Sequence, residues 1–282
     1  MQEKRLPKSP IFIGGLFKSG TSLLRAMLGQ HSAIATGLET YWFDLGWDGP
    51  HTGEFLDRIE RLRNFFGLEG KITERIVAES SNSTQFLDLF LGHYAKSIGK
   101  RRWAEKTPGN ILHLSEIYSG WPDAKVIHII RDPRDVFASL KQAKKWDSLE
   151  KFTELWCLYI GTAENLKREL KLYENNYLEM RYEDLVLRTE ESMKNVIGFL
   201  GEKWEEDVAV FEGKKDEYDK VLKLTGKAST TLDRLRKPLS QDRVGIWHKT
   251  VSQEEIEEIH NLVDREGLLS LMKGIEKETP GW

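Results

Sequence analysis

Residues Gly15 to Ser22, Gly-Leu-Phe-Lys-Ser-Gly-Thr-Ser, constrain this chain more than any other stretch. They follow a short apolar run, Ile11-Phe12-Ile13, and open an apolar-periodic segment from Leu23 to Leu28. Strand, glycine-rich turn and helix N-terminus in that order aim backbone N–H groups and the helix dipole at one anionic group. A nucleotide-triphosphatase loop reads G-x-x-x-x-G-K-[ST], with lysine directly after the second glycine to reach the β- and γ-phosphates. Here the spacing from Gly15 to Gly20 is kept, but Thr21 stands where that lysine belongs and the lysine sits inside the loop as Lys18. The cradle is present and the triphosphate reader is missing, which points to a phosphate-bearing ligand other than ATP.

Strand-like runs recur along the chain at Pro10 to Gly14, Arg102 to Glu105, Lys125 to Ile130 and Tyr177 to Arg181. Val126-Ile127-His128-Ile129-Ile130 is β-branched and nearly continuous in apolar character, as a buried parallel strand requires. Helical periodicity fills the intervals at Gly20–Gln30, Glu54–Phe66, Thr84–Ile98, Asn110–Tyr118, Asp135–Lys145, Leu149–Tyr173 and Glu183–Phe199. Such alternation predicts an α/β fold: a P-loop-like parallel sheet with helices on both faces, as a single domain across residues 1–282. Ligands of such sheets bind beyond the C-terminal strand ends. Residues Glu202 to Leu239 are lysine-rich and weakly periodic, and read as a surface helix followed by a mobile loop. A last helix, Gln253 to Glu266, starts at Ser252 with Glu255 at the capping-box spacing.

The length of 282 residues suffices for one large α/β domain, and the formal net charge of −3 gives no global case for nucleic acid. Any anion site is therefore local. The single cysteine, Cys157, excludes an intramolecular disulfide, argues against structural zinc and reads as packing. The N-terminus is polar and no run of 18 apolar residues occurs, so the expectation is a cytoplasmic protein without a membrane span.

A second anion-binding pattern follows the strongest strand. Arg131 ends it, Pro133 fits the first turn of the next helix, and Ser139 lies eight residues beyond the arginine. An arginine fork beside a hydroxyl suits a phosphate. An arginine paired with Asp132 or Asp135 at the surface is the plainer alternative. Together the two motifs resemble those of sulfotransferases that use 3′-phosphoadenosine 5′-phosphosulfate (PAPS). Lys18-Ser19-Gly20-Thr21-Ser22 is similar to their 5′-phosphosulfate loop, and Arg131 with Ser139 to their 3′-phosphate motif. Within the family, Leu24-Arg25-Ala26-Met27-Leu28 leading to Glu39-Thr40 resembles the tyrosylprotein-type and related bacterial enzymes.

The resemblance implies sulfuryl transfer from PAPS to a hydroxyl, releasing 3′,5′-diphosphoadenosine (PAP), with no metal. It implies Glu39 as general base, 21 residues beyond Lys18, Lys18 as the cation facing the leaving phosphate, and Lys106 near the transferred sulfonate. It further implies nucleotide contacts from Tyr182, Thr231, Arg236 and Lys237. The position where cytosolic small-molecule members carry a histidine base is Pro108, and His93, His113 and His128 are the conceivable replacements. Gly245-Ile246-Trp247-His248-Lys249 resembles a family segment in which the tryptophan packs a loop down.

Two other readings remain: a P-loop kinase or NTPase, against which Thr21 speaks, and a nucleotide-binding protein that has lost turnover. The acceptor stays open among small-molecule, carbohydrate and peptide hydroxyls, as does the oligomeric state. Segments Trp42 to Phe66 and Lys71 to Gly99 are expected to wall its pocket. Their aromatics, with Tyr41, Trp42, Phe43, Trp47, Phe65 and Phe66 foremost, serve either acceptor or core.

Overall fold

The structure, a computed structural model, describes residues 9–44, 53–143, 148–172, 175–214, 219–223, 226 and 230–276. Five strands form one sheet: β1 (Ile11–Gly14), β2 (Ile34–Thr36), β3 (Arg102–Lys106), β4 (Lys125–Ile130) and β5 (Tyr177–Arg181), in the order β2-β3-β1-β4-β5. Every adjacent pair is parallel; Ile13 is level with Lys106 on one side and Ile127 on the other, and Ile130 with Arg181. All the C-terminal ends therefore lie at one edge.

Period-two alternation sends side chains to opposite faces. Phe12 and Val126 join the core under α2 (Gly53–Phe66), α4 (Ser83–Ser97) and α5 (Leu114–Gly120). Ile11, Ile13, Ile127 and Ile129 face α1 (Thr21–Leu28), α8 (Tyr182–Leu187) and α9 (Thr189–Leu200). A third cluster joins α6 (Pro133–Gln142), α7 (Leu149–Glu169) and the helix Gln253–Arg265 around Phe152 and Trp156. Helices thus cover both faces, as the alternation of elements predicts.

The four expected strands are present, and β2 is an addition. Its three residues are too short to show alternation in sequence. A helix α3 (Gly70–Glu79) and a terminal helix Leu269–Glu276 were also not foreseen, so the helix starting at Ser252 is not the last. Ser252 and Glu255 form the reciprocal capping box. Cys157 is buried among core side chains, which push its thiol up to about 11. Between Glu202 and Leu239 the described structure is a short 3₁₀ turn, Glu206–Ala209, a helical stretch at 219–223 and the helix Thr230–Leu235. Parts of the expected surface helix and loop, Ser229 among them, lie outside the described residues, as do Trp47, Lys145 and Tyr173. No described helix is long and apolar enough to cross a membrane.

Candidate active site

Each strand delivers a different element to the same edge. The turn after β1 presses against β4: Gly15 has a φ of 141°, and a Cβ there would stand 2.2 Å from the Ile129 carbonyl oxygen, so only glycine fits. Lys18, at φ 67°, holds a left-handed conformation uncommon for a residue with a side chain. Its carbonyl accepts from Arg131 Nη1 at 2.8 Å, and its ammonium donates to Thr231 Oγ1 at 2.9 Å. One lysine thereby ties the β1 turn to the end of β4 and to the helix Thr230–Leu235. These elements enclose a cavity of about 760 Å³, within the size range of small-molecule sites.

At one end stands Arg131. Its guanidinium lies 4.3 Å from the Tyr182 ring centroid, at the start of α8, and donates to the Arg243 carbonyl. Its Nε is buried with no hydrogen-bond partner among the described residues. Arg234 Nη1 donates to Ser139 Oγ at 3.3 Å, so an arginine joins Arg131 and Ser139 across the interval between α6 and the later helix. Behind them Glu183 accepts the Asp132 backbone N–H at 3.0 Å, fixing the turn after Arg131. Burial, with the Asp132 charge beside it, pushes the Glu183 carboxyl up to about 7 despite that hydrogen bond. Asp135 accepts the backbone N–H groups of Gly245 and Trp247, and the Arg134 guanidinium lies 4.1 Å from the Trp247 ring. Trp247 thus holds the 245–249 segment down on α6.

At the other end stands Glu39, on the segment leaving β2. Its Oε1 takes the Lys106 ammonium and its Oε2 the Tyr41 hydroxyl. The same ammonium donates to Ser22 Oγ at 3.1 Å. Burial alone would raise the Glu39 carboxyl. The Lys106 charge, hydrogen bonds from Lys106 and Tyr41, and Arg25 outweigh it and hold the group below the ordinary carboxylate value. Burial also holds Lys106 below its usual value, with Glu39 opposing and Arg25 assisting.

The segment is pinned from β3. Glu105 accepts the Thr40 N–H and hydroxyl at 3.2 and 2.8 Å, the Thr107 hydroxyl at 2.7 Å and the Asn110 amide at 2.6 Å. Four donors on one buried carboxylate offset part of its desolvation, and burial still holds the group above its ordinary value.

The cavity brings together Lys18, Gly20, Thr21, Ser22, Glu39 and Lys106, and at its other end Arg131, Tyr182, Thr231 and Lys237. Ser19 and Ser139 are buried behind its wall rather than in it. Arg236 is absent from the lining and lies 3.5 Å from Asp233 on the surface. The cause is helical phase: Thr231, Arg234 and Leu235 share one face of a single turn, and Arg236 follows the helix end. Arg234, Arg25 and Arg61 are cavity residues that the sequence left without a role. Two arginines in Leu-Asp-Arg-Leu-Arg-Lys can be told apart only by that phase.

The three histidines are elsewhere. His128, within β4, is buried against the Tyr177 hydroxyl at 2.8 Å; burial, with the Arg181 and Lys167 charges nearby, drives it down to about 3. His113 meets Asp44 and Glu116, and His93 meets Arg75. Of the aromatics, Tyr41 and Phe65 line the cavity while Trp42 and Phe66 are core. Residues 71–99 contribute no lining among those described, since α3 and α4 pack behind α2. No cluster able to hold a metal ion occurs among the described residues.

A family model described as "Sulfotransferase family" matches residues 10–206, which takes in β1 through β5 and the Arg131 turn. The chain belongs to the sulfotransferase family. Among curated relatives of this sulfotransferase-family chain, Protein-tyrosine sulfotransferase A of Caenorhabditis elegans is 24% identical over 89% of the chain and 64% of its own length. Protein-tyrosine sulfotransferase 2 of Gallus gallus is 25% identical over 84% of the chain and 62% of its own length. The chain thus spans less than two thirds of either relative. The same fold occurs in the sulfotransferase domain of the Synechococcus PCC 7002 olefin synthase, at TM-score 0.66 and 18% identity, covering 91% of this chain and 96% of that one. It occurs also in a mouse sulfotransferase complexed with PAP, at TM-score 0.54 and 16% identity, covering 96% and 89%.

Proposed function

We propose that this chain transfers a sulfuryl group from PAPS to a hydroxyl acceptor, acting as one sulfotransferase domain. The observation that carries the reading is Lys106, whose ammonium touches both Ser22 of the phosphate-cradling turn and the Glu39 carboxylate. A cation between an anion cradle and a carboxylate is what in-line transfer of an SO₃-like group needs, because such catalysis rests on positioning and charge.

The residues present fit the donor. Lys18, Arg131, Arg234, Lys237 and Arg243 all line one cavity in a chain of formal net charge −3, and the buried Arg131 Nε is left for a ligand. PAPS, when bound, supplies the sulfuryl group and a 5′-phosphate leaving group. The β1 turn, with Ser19 at its base and Thr21 at the helix start, would hold the 5′ end, and Lys18 would meet charge growing on the leaving oxygen. Arg131 and Arg234 would hold the 3′-phosphate, with Ser139 behind the wall fixing Arg234, Tyr182 against the nucleotide and Lys237 at the rim. Glu39 would take the acceptor proton, and the bond formed joins acceptor oxygen to sulfur. The acceptor end combines Arg61 with Tyr41 and Phe65, which suits a small-molecule, carbohydrate or peptide hydroxyl.

Thermal shift tests this directly. PAP should stabilise the protein and ATP with Mg²⁺ should not. Stabilisation by ATP–Mg²⁺ alone returns the chain to the phosphotransferases. Labelled PAPS offered to a panel of hydroxyl compounds then identifies the acceptor.

A further inference from the structure

Glu39 has two oxygens, and both are taken. Oε1 meets Lys106, which faces the cradle, and Oε2 meets the Tyr41 hydroxyl. A general base must accept a hydrogen bond from the hydroxyl it deprotonates. With the Lys106 charge on the first oxygen, the second is the more basic one to offer an acceptor, and the Tyr41 hydroxyl sits on it.

The residue is held there. Its φ of 53° is left-handed, a conformation that aromatic residues rarely adopt. Its N–H donates to Thr107 Oγ1 at 3.1 Å, its carbonyl accepts from Arg58 Nη2 at 3.0 Å, and the Arg61 guanidinium stands 5.5 Å from its ring. The residue is nevertheless 37% exposed, so its ring can turn outward about the side-chain torsions while those backbone bonds stay closed. Burial and the Glu39 charge raise its phenol well above the ordinary value, which keeps it a hydrogen-bond donor at neutral pH.

We propose that Tyr41 is a displaceable plug: its hydroxyl occupies the acceptor's place on Glu39 and keeps water off the base until an acceptor pushes it aside. The inference rests on the transferase reading above. Water in the same seat would be a wasteful acceptor. Its oxygen would bond to sulfur, the bond from sulfur to the 5′-phosphate oxygen would break, and its proton would pass to Glu39, leaving inorganic sulfate and PAP.

Tyr41→Phe tests this, since it keeps the ring and removes only the hydroxyl. Release of PAP from PAPS in acceptor-free buffer should rise roughly tenfold, the scale of one hydrogen bond to a charged group. Carbon-13 titration of the Glu39 carboxyl should move upward, because a bond to its charged form is gone. Both must move; either one at its wild-type value overturns the plug. A gain of one SO₃ on Tyr41 of the wild-type protein overturns it too, by making the phenol an acceptor. Thermal stabilisation by PAP, measured on both proteins, separates the two levels. Without it in the wild type, the transferase reading falls and takes the plug with it. With it, unchanged PAPS loss and Glu39 titration sink the plug alone.

Discussion

The two ends of the cavity are made differently. The Arg131 end is built from turns that leave β1, β4 and β5 directly, closed over by the helix Thr230–Leu235 and the segment that follows it. The Glu39 end depends on β2, a three-residue edge strand, and on α2, which enters from the interval between β2 and β3. The first gathers cations around Arg131; the second sets a carboxylate between Lys106 and Tyr41. On the proposed transferase reading, the first would bind the donor and the second would take the acceptor's proton. Chemistry and binding should therefore separate by mutation.

The sharpest attempt to break that division is Glu39→Gln. Turnover should fall about 10²- to 10⁴-fold, the range for a lost general base, while calorimetry finds PAP affinity nearly unchanged. Equal losses in both would merge the two ends into one unit. Arg131→Ala should do the converse, weakening PAP binding by about 2–5 kcal/mol, the range for truncating one partner of a buried charge network. An unaltered PAP titration would make that arginine a fold residue.

The ends also oppose each other in acid. Glu183, at the Arg131 end, has a carboxyl raised to about 7 from 4.5, mainly by burial. Below 4.5 its contribution to stability is fully present. As pH rises the unfolded chain ionises first, and about 3 kcal/mol is lost by the time the folded group titrates near 7. Glu39, held low by Lys106, stabilises above its ordinary value and loses that as pH falls. Urea unfolding of Glu183→Gln at about pH 5 and about pH 8 should show a smaller difference than the wild type. An identical difference removes Glu183 from the account.

The smallest effects sharpen the helical phase. Arg234→Ala should weaken PAP binding by about 1.5–3 kcal/mol, the scale of a hydrogen bond from a charged group. Arg236→Ala, on the surface, should stay within about 0.5 kcal/mol. Reversed magnitudes would restore the sequence expectation for Arg236.

The division explains what could be read in advance. The Gly15–Ser22 turn and the Arg131 turn are local constructions whose glycine, proline and charge positions are set by backbone geometry, so residue order reveals them. The parallel sheet was legible for the same reason, through the apolar runs of β1 and β4. Nothing local marks β2, because three residues carry no period. Tyr41 looked like any aromatic that might be core, and only the fold sets it against Glu39. The choice of Arg234 over Arg236 needed the start of a short helix, which depends on tertiary contacts such as Lys18 with Thr231.

Glu105 touches no reacting group, yet it leaves little room for substitution. Glutamine, its nearest isostere, could keep an oxygen toward Thr40 and Thr107 only by turning its NH₂ toward Asn110, whose own NH₂ already points there and also serves the Ile13 carbonyl at 3.1 Å. Aspartate is a methylene too short to span the same donors. A side chain that faces no ligand can therefore be as hard to replace as the Glu39 segment that it anchors.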